Sequence, residues 1–113
     1  MYLVYVYVPE SHLEELKGAL FAAGGGRIGN YDSCSWQTAG EGQFRPLEGS
    51  DPYSGRKGEV SREREYRLEL TVPGSRIREV LSALKEAHPY EEPAYGAVEI
   101  AVLEDFPEIA QVT

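Results

Sequence analysis

Residues Tyr2 to Val8 read Tyr-Leu-Val-Tyr-Val-Tyr-Val, β-branched or aromatic at nearly every position and without polar alternation. A strand that is apolar on both faces has to be covered on both faces. The chain has 113 residues, the size of one domain with one core, and its helices can serve only one side of a sheet. The other side would expose an apolar patch larger than a soluble monomer tolerates. The segment therefore predicts an oligomer, a closed homotrimer with this strand in or beside the interface.

Charge narrows the partners. Asp and Glu number 19 against 11 Lys and Arg, a formal charge of -8. That field repels phosphate backbones and anionic lipid, so neither nucleic acid nor a membrane is expected as partner. One cysteine, Cys34, forms no internal disulfide, and no run resembles a signal peptide or a membrane span. A soluble, cytoplasmic domain is expected.

Along the chain, Pro9 closes the first strand, and Ser11 with Glu14 fits a capping box. Leu13, Leu16, Leu20 and Phe21 follow at helical spacing, so a helix is predicted from Ser11 to Ala23, stopped at Gly24. A second strand is read over Asn30–Ala39. From Gly40 to Ser61 the composition turns to Gly, Pro, Ser and charge, which predicts a long loop of functional character. Arg64 to Val72 alternates as a third strand, with Tyr66, Leu68, Leu70 and Val72 on one face and Glu65, Arg67, Glu69 and Thr71 on the other. Ser75 caps a second helix marked by Ile77, Val80, Leu81 and Leu84, which His88-Pro89 ends. Ala94–Leu103 completes the sheet, and residues 104–113 read as a loosely docked tail. The fold class is α+β. The chain from 1 to 103 forms a ferredoxin-like β-α-β-β-α-β sandwich of strand order 4-1-3-2, with both helices on one face.

That topology gathers His12, His88, Tyr90, Glu91 and Glu92 at one end of the sheet, beside the roots of the loop. Imidazole and carboxylate together suit a transition metal. An ion held by His88 and Glu92 would be zinc, copper or nickel rather than calcium or magnesium. Against this, His88 can simply cap the helix end, and Glu91 or Glu92 can pair with an arginine and shape a subunit contact. Glu91 and Glu92, adjacent on an extended segment, point apart and make a poor acid–base pair. Cys34 in a strand reads as a small buried hydrophobe before a nucleophile. Gly24–Gly26 with Arg27 lacks the spacing of a phosphate loop and reads as a turn.

Three stretches together resemble a known family: Gly-Gly-Gly-Arg-Ile-Gly-Asn-Tyr-Asp-Ser-Cys-Ser-Trp from Gly24 to Trp36, Gly-Glu-Gly-Gln-Phe-Arg-Pro from Gly40 to Pro46, and His-Pro-Tyr-Glu-Glu-Pro-Ala-Tyr from His88 to Tyr95. Their order and spacing, with Gly49, Gly55, Gly58 and Glu63, are similar to the inserted middle domain of YqfO-like proteins of the Nif-three (Ngg-one-interacting factor three) family. The His-Pro-Tyr-Glu run also resembles CutA, the divalent-ion tolerance protein, and more distantly the PII signalling proteins. The resemblance implies a CutA/PII-like fold and a trimer. Trp36 replaces the family's usual Phe, and Gly96 stands where an acidic residue commonly follows Ala-Tyr. The dinuclear metal site of that family lies in flanking domains, so hydrolase activity is not expected of these residues. The acidic turn after the second helix does not suit the PII nucleotide.

The reading is a non-enzymatic trimeric module that binds a small ligand, a divalent cation or a protein partner at inter-subunit clefts. Cys34, Trp36, Phe44, Tyr90 and Glu91 are the expected ligand-binding residues, with His88 and Glu92 as expected metal ligands. A metal-assisted hydrolase using His88 and Glu92 is the first alternative. A purely structural oligomerisation domain is the second.

Overall fold

The computed structural model describes residues 1–109. Six principal elements follow in the order β1 (Tyr2–Pro9), α1 (Leu13–Ala22), β2 (Trp36–Phe44), β3 (Ser61–Val72), α2 (Ile77–Ala87) and β4 (Tyr95–Glu99). The strands form one antiparallel sheet of order β2-β3-β1-β4, the expected 4-1-3-2. Among the described residues, no helix is long and apolar enough to cross a membrane.

The period of two along β1 sorts its apolar residues. Val4, Val6 and Val8 are fully buried, and β3 sets Leu70, Leu68 and Tyr66 opposite them. Leu13, Leu16 and Leu20 of α1 and Val80 and Leu84 of α2 close over this same face. Each such side chain contributes about 2 kcal/mol on burial, so this single layer carries most of the stability.

The other face of β1 carries Leu3, Tyr5 and Tyr7, which are only half-buried. Part of their cover comes from within the chain. The Arg67 guanidinium lies 4.6 Å from the Tyr5 ring centre and 5.4 Å from that of Tyr7, and donates to the Tyr7 hydroxyl at 2.6 Å. Gly96 of β4, opposite Tyr5, leaves room for that ring: an added Cβ would sit 2.5 Å from the Tyr5 hydroxyl. An acidic side chain at 96 would collide with it. Farther out, Trp36 and Val98 stay 69% and 51% exposed on this face.

Several boundaries differ from the expectation. Both helices are entered through a single 3-10 turn, Glu10–His12 and Gly74–Arg76, and neither has a side-chain cap. Ser11 Oγ instead meets His12 Nδ1 at 2.8 Å. The second strand is Trp36–Phe44 rather than Asn30–Ala39, because β3 offers a continuous ladder to Gly40 and Gly42 despite their composition. The loop is consequently residues 45–60, not 40–61. β4 is shorter than Ala94–Leu103, ending at Glu99, and Leu103–Asp105 forms a 3-10 turn. The expected tail is described as far as residue 109; residues 110–113 lie outside the described residues.

The turn after α1 behaves as its glycines suggest. Gly24, at φ +110°, donates to Phe21 O and Gly25 to Leu20 O, the paired bonds that close a helix end on glycine. Gly26 donates to Thr71 O. Those amides are engaged by protein carbonyls, which fits a turn.

Candidate functional site

At one end of the sheet β1 and β2 finish while β3 and β4 begin. Residues 45–60 fold back across this end. Gly58 N–H donates to Pro46 O at 2.7 Å and closes the base of the loop, with Pro46 buried beneath it. Asp51 N–H donates to the Glu91 carboxylate at 2.8 Å, which ties the loop to the turn after α2. The Tyr53 ring packs edge-on against His12 at 5.6 Å and tilted against Tyr90 at 6.0 Å.

Tyr90 is the centre of this arrangement, with Phe44 6.2 Å and His88 4.9 Å away between ring centres. Burial, and then the neighbouring Glu65 carboxylate, push its phenol pKa up, so it stays a protonated donor. His88 stands behind it, 6% exposed. Its Nε2 lies 2.7 Å from Tyr7 O, and its Nδ1 accepts Tyr90 N–H at 3.1 Å. Only the neutral tautomer with hydrogen on Nε2 satisfies both. Burial pushes the His88 pKa down, partly offset by the Tyr7 carbonyl and by Glu65.

Between the returning loop and the open sheet face lies a cleft of about 830 Å³. Its floor is β2 from Thr38 to Phe44, together with Glu65 and Arg67 of β3 and Tyr7 of β1. Tyr53, Tyr90, Glu91 and Glu92 wall the other side. Glycine has a spatial role in this floor. Glu65 lies across Gly42, and an added Cβ there would collide with the Glu65 carboxylate.

Of the expected ligand residues, Phe44, Tyr90 and Glu91 line one cleft, joined by the expected metal ligand Glu92. Cys34 and Trp36 do not. β2 places Trp36 opposite Glu69 and Phe44 opposite Ser61, eight residues along one strand and about 26 Å apart. Cys34 lies before the strand, its amide donating to Gly26 O and its thiol 3.6 Å from Asp32 O. Both residues therefore belong to the opposite end of the sheet. His88 has both ring nitrogens engaged within the chain, which leaves no lone pair for an ion in this arrangement. Among the described residues, no three His, Cys, Asp or Glu side chains cluster as metal ligands would.

The structure adds Tyr53, Glu65, Gly40 and Gly42 to the site. Alternation already places Glu65 on the open face of β3. Nothing local marks Tyr53, whose position depends on the loop's return.

These elements define an α+β sandwich of the CutA/PII-like type. The divalent cation tolerance protein CutA from Archaeoglobus fulgidus superposes over 93% of this chain and 91% of its own, with a TM-score of 0.63 and 16% identity. No protein-family model matches the chain. In sequence it is similar to longer proteins. A GTP cyclohydrolase 1 type 2 homolog of Mycobacterium tuberculosis is 47% identical over 90 residues, 80% of this chain and 24% of that protein. The homolog of that name from Halalkalibacterium halodurans is 38% identical over 101 residues, 89% of this chain and 27% of its own length. The Bacillus cereus protein related to NIF3 is 43% identical, with a TM-score of 0.73 over 85% of this chain and 24% of that one. The chain thus spans about a quarter of the length of the relatives it matches.

Proposed function

We propose that this chain is a CutA/PII-like module of the NIF3 family that binds a small ligand without transforming it. It assembles as a cytoplasmic homotrimer whose clefts lie at subunit contacts. The cleft between the 45–60 loop and the open sheet face carries this reading. Its volume is that of a small-molecule site, and it is apolar with a few convergent polar groups. Its walls are tied in place by the Asp51–Glu91 and Gly58–Pro46 bonds before any ligand arrives.

The hydrolase alternative is less well supported, because the imidazole it needs is engaged by Tyr7 and Tyr90. Zinc, copper or nickel at this end would have to be held by Glu92 with a group from a neighbouring copy. Native mass spectrometry of the purified protein tests the reading, since it records subunit number and bound mass together. A trimer that retains a small organic mass, lost in Phe44→Ala, is the expected result. A bare monomer, unchanged by that substitution, overturns it.

A further inference from the structure

The charges around the cleft do not balance. Glu65, Glu91 and Glu92 line it together with Arg67, whereas Glu41, paired with Arg64 across the strands, points to the other face of the sheet. Arg67 is engaged by the Glu69 carboxylate at 2.7 Å and by the two tyrosine rings, so it offers no free cation. Glu41 lies 3.9 Å from Arg62. Among the described residues, Glu65, Glu91 and Glu92 have no ion pair. Arg45 is exposed at the rim, where solvent screens it.

Glu65 differs from the other two. Glu91 and Glu92 are exposed, whereas Glu65 is half-buried on the cleft floor, laid over Gly42 and facing the Tyr90 phenol. Phe44, Tyr53 and Tyr90 form a continuous aromatic wall beside it. Aromatic faces attract a cation through the ring quadrupole, and a planar cation stacks on them. An amidinium or guanidinium also matches a carboxylate in a two-point bond.

Resting on the reading of this cleft as a ligand site, we propose that it takes a small planar organic cation, an amidinium or guanidinium on an apolar body. Its charge pairs with Glu65 and its body lies on the Phe44–Tyr53–Tyr90 wall. Gly42 is the positioning residue: it leaves the space in which the Glu65 carboxylate can lie flat on β2.

Three probes of one shape and different charge test this by amide NMR: benzamidinium, benzamide and benzoate, titrated into the intact protein. Benzamidinium is expected to shift the Gly40, Gly42 and Ser54 amides saturably, at least tenfold more tightly than the other two. Glu65→Gln is expected to weaken it tenfold or more, and Gly42→Ala several-fold. Glu99→Gln, the same charge change at the far end of β4, should leave it unaltered. Equal binding of benzamide or benzoate at these amides, or full affinity in Glu65→Gln, overturns the cation assignment and leaves the cleft as a ligand site. If none of the three moves these amides, the ligand-site reading fails with it.

Discussion

His88 shows how one residue can be read for chemistry and serve structure. Its type and its place after a helix suggest a metal ligand. In the fold it is a buried crosslink, joining the β1 backbone at Tyr7 to the turn at Tyr90. Because burial holds its folded pKa below the ordinary 6.5, the fold favours the neutral ring. The stability this contributes is complete above pH 6.5 and is lost as the pH falls from there through the lowered folded value. Urea unfolding between pH 7.5 and 5 should show this loss. His88→Ala should be less stable by about 2–3 kcal/mol at pH 7.5, from two lost hydrogen bonds, and should show a shallower acid dependence. An unchanged pH slope in that variant would mean another group titrates.

The long connection between β2 and β3 was legible only as a change of composition. Gly40 and Gly42 look like loop residues, yet both belong to an edge strand, and at Gly42 small size is what the floor requires. Local propensity could not show this, because the space over Gly42 is filled by Glu65 from the neighbouring strand. The loop's return over the cleft hangs on few contacts, of which the Asp51–Glu91 bond is the most direct. Glu91→Ala should therefore speed amide exchange of Asp51 and its neighbours about tenfold, with the amides of Val4 and Val6 unaffected. Equal rates in both proteins would show that the tyrosine contacts and the Gly58–Pro46 bond hold the loop without it.

For the whole molecule, the doubly apolar first strand pointed to association, and the structure refines that argument. Arg67 and Gly96 shelter Tyr5 and Tyr7 within the chain, while Trp36 and Val98 remain open on the same face. The surface that most needs a partner is therefore the outer strands of that face. Light scattering is expected to return about three times the 12.6 kDa chain mass. Trp36→Glu, which puts a charge on that face at an exposed position, should shift the mass toward the monomer and leave far-ultraviolet circular dichroism unchanged. A trimer unaffected by this substitution would place the interface elsewhere.

Four strands, two helices and their order follow from the sequence alone. Hydrophobic pattern is local: β3 and the two helices carry their periods, and β1 its unbroken apolar run, within a dozen residues. The strand order follows as well, since right-handed crossovers leave few alternatives. The residues that share a site were decided only in three dimensions. Phe44, Tyr90 and Glu91 meet because the sheet's register and the loop's return bring distant segments together. Trp36 and Cys34, close to Phe44 in sequence, lie at the other end because an extended strand separates its ends by more than 3 Å per residue.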